Sequence, residues 1–268
     1  MIHLLQKPLL GVPVNWSHPL ARGLVGCWLM NEGGGNKIYD LSGNQSRYLG
    51  NFVADTTWKP GKSGSSTYFD GTDDIIKLQL WKGGAKVTLF ARVKFEETIG
   101  ATEQITAADS NISGLRTFQL CRNTTGNLSF TVFVADTAIT ITGNTTLTTG
   151  KWWDVAAVND GANSYIYVNG IQDATPVTTG NMDTDITAWA IGGRPRLVNW
   201  TDIYNLLQGQ VEFLMRWDKS LSAAEIAELY REPFAMFDRP SIGLLYVPPV
   251  GGISIPVVMH HFRQQKIG

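Results

Sequence analysis

Three aspartates lie close together in the stretch YFDGTDDII, which covers residues 68–76. Asp70, Asp73 and Asp74 could supply carboxylates to a calcium ion, which binds about six to eight oxygen atoms. They could equally accept hydrogen bonds from backbone N–H groups in a tight turn at Gly71. The acids at alternate positions and the final glutamate of an EF-hand are absent. Both interpretations, a calcium site and a polar turn, remain open.

Two more acids lie in turn-like stretches, Glu32 in NEGGG and Asp40 in YDLSGN. Each could serve as a further calcium ligand, and both residue types also form ordinary turns. Catalysis by other groups is not indicated, because all the histidines lie in the flanks, far from any central nucleophile or zinc site. They are His3, His18, His260 and His261.

Aromatic side chains could bind sugars by stacking on their rings. Four of the nine tryptophans lie in or beside predicted loops and are candidates for this role: Trp58, Trp81, Trp189 and Trp200. Four others lie on predicted strands, where aromatic rings fill sandwich cores: Trp28, Trp152, Trp153 and Trp217.

The composition predicts a folded protein without nucleic-acid or membrane partners. The chain has 268 residues, of which 43% are hydrophobic, and a formal net charge of -1. Lysines and arginines are scattered, so no basic surface for nucleic acid is predicted. No apolar run reaches the roughly 18 residues of a membrane span, and no signal peptide pattern opens the chain.

Cys27 and Cys121 fit no metal motif or disulfide framework. This spacing favours two buried thiols and leaves a single disulfide bridge between them open.

Three zones divide the chain: an arm over 1–22, a strand-rich domain over 23–238, and an apolar arm over 239–268. Prolines punctuate both arms and predict an extended backbone. In the stretch KVTLFARVKFEE the side chains alternate between two faces of a strand. One face carries Val87, Leu89, Ala91, Val93 and Phe95, and the other carries Thr88, Phe90, Arg92 and Lys94.

Turn and cap residues complete the prediction of the fold. Hairpins are predicted around Gly126 and around the turn 159–161. One helix is predicted in SAAEIAELY, where Ser222 and Glu225 form a capping box and Pro233 stops the helix. These elements predict an all-β, two-sheet antiparallel jelly-roll sandwich with one short C-terminal helix and extended N- and C-terminal arms.

Five stretches over residues 23–238 resemble laminin-G-like, concanavalin A-like jelly-roll domains, in the order of that family. They are GLVGCWLMNEGGGNKIYDLSGN, YFDGTDDIIKL, WWDVAAVNDGANSYIYVNG, AIGGRP and GQVEFLMRWDKSLSAAEIAELY. The resemblance implies a concanavalin A-like sandwich and favours a structural calcium near the acidic stretches. The chain departs from the family at Glu212, where the family commonly has Asp.

The same fold hosts glucanases, whose paired carboxylates lie on one strand as Glu-x-Asp-x-x-Glu. This chain has no such string, and Glu96 and Glu97 are adjacent rather than alternate. Since glycoside hydrolysis requires two carboxylates about 5–10 Å apart, the sequence predicts a protein that is not an enzyme.

The flanks resemble laminin-G-like proteins of tailed phages and prophages, through NWSHPLARGLVGCWLMNEGGGN and PVVMHHFRQQ. The resemblance implies a virion structural protein on the particle exterior, as a decoration or fibre protein. Its two arms would bind other virion proteins of the capsid or tail, a homo-oligomer is a further expectation, and its sandwich would bind host glycans. The alternatives are a carbohydrate-binding or adhesion module of a bacterial surface protein and, third, a polysaccharide-cleaving enzyme.

Overall fold

The computed structural model describes residues 6–43, 49–53, 56–78, 81–82, 84–109, 116–184, 186–195 and 203–238. Within these ranges the chain forms short strands, a 3-10 helix (Pro19–Ala21) and one α-helix, α1 (Ala223–Arg231). The strands are β1 (Leu24–Trp28), β2 (Lys37–Tyr39), β3 (Leu49–Val53), β4 (Thr57–Pro60), β5 (Ser65–Asp70), β6 (Ile75–Lys77), β7 (Trp81–Lys82), β8 (Val87–Phe95), β9 (Glu103–Asp109), β10 (Arg116–Arg122), β11 (Asn127–Val134), β12 (Thr137–Thr146), β13 (Trp152–Asn159), β14 (Asn163–Val168), β15 (Ile171–Gln172), β16 (Val177–Thr178), β17 (Ile186–Thr187), β18 (Trp189–Ile191), β19 (Arg194–Pro195), β20 (Ile203–Tyr204) and β21 (Gln208–Trp217).

Two large sheets contain most of these strands. The nine-stranded sheet has the order β15-β14-β13-β8-β21-β5-β4, with β1 beside β21 and β16 beside β14. The eight-stranded sheet has the order β12-β11-β10-β9-β18-β6-β3-β2. The chain leaves one sheet for the other after β8 and returns after β12, which is the connectivity of a two-sheet sandwich rather than a meander. The predicted all-β jelly-roll sandwich is confirmed.

The core lies between the two sheets and takes every second residue of their strands. Leu89, Val93 and Phe95 of β8 point inward, as the alternation predicts, and pack with Phe118 and Phe130 of the opposite sheet. Burying each such side chain contributes about 1.5–3 kcal/mol. A slip of one residue would turn the whole apolar set into water, so the core fixes the register of the strands.

Both predicted hairpins occur. β10 and β11 are joined through Gly126, and β13 and β14 through Gly161, with φ of 86° and 90°. Only glycine adopts this left-handed region at little cost. The Asp160 carboxylate closes the second turn by accepting the N–H groups of Ala162 and Asn163.

The two cysteines are buried, and both are free thiols. The buried-thiol interpretation of Cys27 and Cys121 is therefore confirmed, and the bridge is not formed.

A second apolar cluster covers part of the outward face of the nine-stranded sheet. Phe90, Phe213 and Trp217 project from β8 and β21 and pack with Ile226 and Leu229 of α1. These sheet residues belong to the face opposite the core, because they alternate with inward-facing residues along the same strands. The helix therefore closes an apolar area that would otherwise face water.

The helix begins and ends where the sequence predicts. The Ser222 hydroxyl accepts the Glu225 N–H at 3.3 Å, and the Glu225 carboxylate accepts the Ser222 N–H at 2.7 Å. This reciprocal pair is the predicted capping box. Within the described ranges, no helix is long and apolar enough to cross a membrane.

The described part of the first predicted arm, residues 6–22, covers the same outward face. Val14 and Leu20 are buried in the second cluster, and Val14 bridges Phe237. The Trp217 indole N–H donates to the Leu20 carbonyl at 2.7 Å. This segment therefore packs on its own domain over these residues, because its apolar side chains find a surface there. The second predicted arm, 239–268, lies outside the described residues.

A buried ion trio, formed by Arg92, Asp154 and Glu212, crosses the central strands on this outward face. Arg92 donates to Asp154 at 2.6 Å through Nε and at 3.0 Å through Nη2. Its Nη1 lies 3.2 Å from a Glu212 carboxylate oxygen and 2.6 Å from the Ser63 hydroxyl. The three charged residues are 2%, 3% and 0% exposed. Charged side chains thus link β13, β8 and β21 in addition to their backbone ladders.

We predict that Arg92→Met lowers the free energy of unfolding by about 3–5 kcal/mol, because it leaves two carboxylates buried without their cation. Urea denaturation measures this loss. The matched control is Lys94→Met, on the same face of the same strand, where a partly exposed ion pair with Glu96 is removed at a cost of about 0–1 kcal/mol. Equal losses in the two variants would contradict the role given to the trio.

Candidate functional site

The acidic stretch forms the turn between β5 and β6. Oxygen atoms of Asp70, Asp73 and Asp74 lie within 4.8 Å of one another. Asp74 is 2% exposed, and its two oxygens accept the Asp70 N–H at 2.9 Å and the Thr56 hydroxyl at 3.0 Å. The Asp70 carboxylate accepts the Thr72 N–H at 2.7 Å. These hydrogen bonds form the predicted polar turn, and the same three residues could also hold a cation.

The electrostatics of this turn favour a positive partner. Burial raises the pKa of Asp74, and the neighbouring charges of Asp70 and Asp73 raise it further, against hydrogen bonds that lower it. Asp70 and Asp73 are exposed, so they can turn toward an ion while water fills its remaining positions. Three carboxylates and solvent fit a surface calcium site of this kind.

Glu32 and Asp40 do not join this group of carboxylates. The Asp40 carboxylate accepts the N–H groups of Cys27 at 2.7 Å and Ser42 at 2.9 Å, and therefore closes a loop beside β1. Glu32 accepts the Tyr39 N–H at 2.9 Å. Within the described residues, the carboxylates close enough together to hold an ion are those of Asp70, Asp73 and Asp74, so the five-residue ligand set is corrected to three.

The four tryptophans proposed for sugar stacking have different environments. Trp189 is 4% exposed, makes an edge contact with Trp28 at 5.0 Å and donates to the Thr106 hydroxyl at 2.8 Å. It belongs to the core, so its proposed role in sugar binding is wrong. Trp58 is half-buried and donates to the Gly35 carbonyl at 2.8 Å.

The other two candidates lie at the limits of the described residues. Trp81 begins β7, but its side chain lies outside the described part of the chain. Trp200 lies wholly outside it. The proposed sugar-stacking role of both residues stays a prediction.

A different set of residues forms a row across the nine-stranded sheet, in which three side chains are half-buried and the fourth, Gln210, is 3% exposed. Trp152 pairs with Lys94, Lys94 with Gln210, and Gln210 with Tyr68. Their strand neighbours point into the core, so these four side chains share the outward face. We call Tyr68, Lys94, Trp152 and Gln210 the open row. Its two aromatic residues lie three strands apart, about 14 Å at the usual strand spacing.

Polar contacts hold the open row in place. Glu96 accepts from the Gln210 amide at 2.8 Å and from the Lys94 ammonium at 2.9 Å. Although desolvation opposes it, these two donors lower the pKa of Glu96, which keeps the carboxylate ionised at neutral pH. Lys94 lies 5.6 Å from the Trp152 ring centre, and Lys59 lies 3.1 Å from that of Tyr68. The row thus combines two rings, an amide and one cation, and its neighbours Glu96 and Lys59 add a carboxylate and a second cation.

The acidic turn adjoins this row. Burial raises the pKa of the Tyr68 hydroxyl, and the charges of Glu96, Asp70 and Asp74 raise it further. Asp70 ends the strand on which Tyr68 lies. The sequence interpretation found the turn but missed the row. One signal was available for it: Trp152 and Trp153 are consecutive, so only one of them can face the core of a sandwich.

Comparisons with known proteins agree with this architecture. A family model described as the concanavalin A-like lectin/glucanases superfamily, of the laminin-G type, matches residues 60–227. No curated protein sequence matches the chain.

Solved structures with the same fold include binding and enzyme-associated domains. The binding domain of Paraclostridial mosquitocidal protein 1 superposes with a TM-score of 0.60 and 14% identity, covering 79% of this chain and 52% of that one. The binding domain of botulinum neurotoxin serotype G gives 0.57 and 13%, covering 77% and 50%. Domain 4 of AbnA, a GH43 extracellular arabinanase from Geobacillus stearothermophilus in complex with arabinotriose, gives 0.57 and 18%, covering 77% and 98%.

This chain therefore spans about half the length of the two toxin binding domains. At these identities the likeness concerns the fold. Together with the match over residues 60–227, it leads to one conclusion: the chain belongs to the concanavalin A-like lectin/glucanases superfamily, as a laminin-G-like jelly-roll domain.

Proposed function

We propose that this chain is a non-catalytic module that binds a glycan along the open row. The observation that carries the proposal is the division of one sheet face into an apolar part, covered by α1 and the segment 6–22, and a polar part that presents two spaced, half-buried aromatic rings. Aromatic faces stack on the C–H faces of sugars, while amide and carboxylate groups bond to their hydroxyls. Lys59 and Lys94 have flexible side chains that can swing from the rings to sugar hydroxyls.

The absence of catalysis is part of the proposal. Two of the buried acids, Asp154 and Glu212, bind Arg92, and a third, Glu103, binds Arg122. Paired acids of this kind lack free oxygens for a general acid and a nucleophile. Beside the open row, Glu96 accepts hydrogen bonds from Gln210 and Lys94, while Asp70 and Asp74 of the adjoining turn accept hydrogen bonds within that turn. These carboxylates are thus committed to local contacts, whereas glycoside hydrolysis requires two that face the sugar.

We predict that Trp152→Ala and Tyr68→Ala each weaken glycan binding by about tenfold, because each removes one stacking surface. A glycan array identifies the ligand, and calorimetry then measures its affinity for each variant. The control is Tyr204→Ala, which removes an aromatic ring that is 43% exposed in β20, outside the nine-stranded sheet. Failure to bind any member of a broad panel, or an equal loss in the control, would refute the proposal.

We also propose that the acidic turn binds calcium and thereby orders the end of the open row. The proposal rests on three carboxylates within 4.8 Å and on the raised pKa of Asp74. We expect calcium to raise the melting temperature relative to chelator, since an ion that binds the folded state stabilises it. Asp73→Asn should abolish this shift without altering the melting temperature in chelator, because Asp73 is exposed.

Asp74→Asn provides the contrast, because it also disturbs the hydrogen bonds to Asp70 and Thr56. It should lower stability in chelator by about 1 kcal/mol. Equal melting temperatures in calcium and chelator would remove the metal from the account.

We further propose that the module is carried on the exterior of a phage particle as a decoration or fibre protein, attached through its arms. The flanking stretches that resemble phage proteins support this assignment. So does an apolar pair in the first arm: Leu9 and Leu10 are 76% and 65% exposed, which is the kind of surface that a neighbouring subunit covers. A module of a bacterial surface protein would share the sandwich but would not be found in particles.

We predict that mass spectrometry of purified particles detects the chain, and that a Leu9→Ser, Leu10→Ser variant no longer co-sediments with them. Ile171→Ser is the matched control, because Ile171 is 73% exposed on the edge strand β15 and lies outside the arms. Absence from particles, or equal retention of the double variant and the control, would exclude this mode of attachment.

A further inference from the structure

A half-buried lysine of the first arm, Lys7, is docked on the sandwich by its side chain and its backbone. The Lys7 ammonium donates to the carbonyl of Ser65 and lies 3.5 Å from the carbonyl of Met30. The Lys7 backbone N–H donates to the Ser63 carbonyl at 3.1 Å. A Cβ at Gly64 would lie 3.4 Å from the Lys7 stem, which is ordinary van der Waals contact, so the stem packs beside this glycine. Side chain and backbone together fasten the start of the segment 6–22.

The charges around this ammonium come from several elements. Glu32 follows β1, Glu212 lies on β21 and Arg92 on β8, where it is bound to Asp154 of β13. Desolvation lowers the pKa of Lys7 to about 7, the two glutamates work against this shift, and Arg92 adds to it. The lysine therefore loses most of its charge at mildly alkaline pH while the segment is docked.

The hydrogen bonds agree with a neutral amine. Within the described residues, the side chain of Lys7 has two hydrogen-bond acceptors, and both are backbone carbonyls. A neutral amine has two N–H bonds to offer, whereas an ammonium has three and must bury the extra charge. The docked segment thus accommodates the deprotonated lysine well, and the solvated form of the released segment would bind the proton again.

We propose that residues 6–22 form a strap that closes more tightly on the sandwich as the pH rises above neutral, with Lys7 as the group that releases the proton. The docked strap binds fewer protons than the released strap between pH 7 and the ordinary lysine value of 10.5. Because docking is linked to this proton release, the docking equilibrium constant rises by up to about tenfold per pH unit in this window. Burial also raises the pKa of Glu32. This carboxyl therefore has the opposite effect on docking, which it favours as the pH falls, at more acidic values than those at which Lys7 acts.

The strap joins two features of the outward face. It covers apolar residues through Val14 and Leu20, and it holds Leu9 and Leu10 in solvent. Its second anchor is independent of Lys7, because the Asn15 N–H donates to the Met236 carbonyl at 2.8 Å. Opening at the Lys7 end would therefore loosen the exposed leucine pair first and leave the sandwich core unchanged.

Hydrogen exchange of the full chain at pH 7 and pH 9, corrected for intrinsic rates, tests the proposal. We expect protection of peptides within 6–22 to rise tenfold or more between the two values. Lys7→Met should show high protection that does not depend on pH, because its neutral side chain docks without losing a proton. Lys7→Arg, which stays charged, should show low protection at both values.

Lys151→Met is the control, since it removes an exposed lysine outside the strap and should keep the wild-type response. Peptides from β8 and β13 report whether each variant is folded. Wild-type protection that does not change with pH would overturn the proposal. So would a Lys7→Met variant that keeps the wild-type pH response, or one whose strap is unprotected at both values while the core peptides stay protected.

Discussion

The buried guanidinium of Arg92 is the constraint on which the outward face of the nine-stranded sheet depends. A buried cation requires carboxylates and hydrogen-bond acceptors in place, because a buried charge left without partners destabilises the fold by about 3–5 kcal/mol. Asp154 and Glu212 meet this requirement from the two strands that flank β8. The register of β21 against β8 shifts between Val211 and Phe213, which turns both Glu212 and Phe213 to the outward side. One irregularity thus supplies the ion trio and the start of the apolar cluster.

The trio separates two surfaces of unlike chemistry. On one side Phe90 and Trp217 require a cover, and α1 and the segment 6–22 supply it. On the other side the same strands carry the half-buried Lys94 and the buried Gln210, whose amide is bonded to Glu96 and Ser66. Because the sheet is rigid and paired along its length, the open row keeps a fixed spacing between its rings. Such pre-arranged groups bind a ligand with little loss of conformational entropy. The acidic turn, at the end of the adjoining strand, places a second kind of site next to the first.

The local sequence patterns predicted the strands and the helix of this fold, but they did not predict which strands pair with each other. The alternation in β8 gave the correct inward face, and Ser222 with Glu225 gave the correct start of α1. The sequence places Trp189 in or beside a loop, whereas in the structure it begins β18 between two alanines and fills the core. Gly71 and its neighbouring acids identified a turn from sequence alone, since the turn is local.

The open row illustrates the opposite case. Its members come from four strands that are far apart in sequence, and only the register brings them together. No spacing rule connects Tyr68 to Trp152. The same holds for the ion trio, whose arginine is recognisable as outward-facing but whose partners are not. Each strand and its two faces can therefore be predicted from one sequence, whereas the order of the strands in the sheets is known only from the structure.

The central claim is that the open row of this sheet face is the ligand-binding surface. An NMR titration with a bound oligosaccharide tests it most directly, because amide shifts report where the ligand lies without altering the protein. The account predicts that the largest shifts cluster at Tyr68, Lys94, Trp152 and Gln210. Shifts that cluster instead around Thr131 and Thr140 on the eight-stranded sheet, with the open row unaffected, would contradict it.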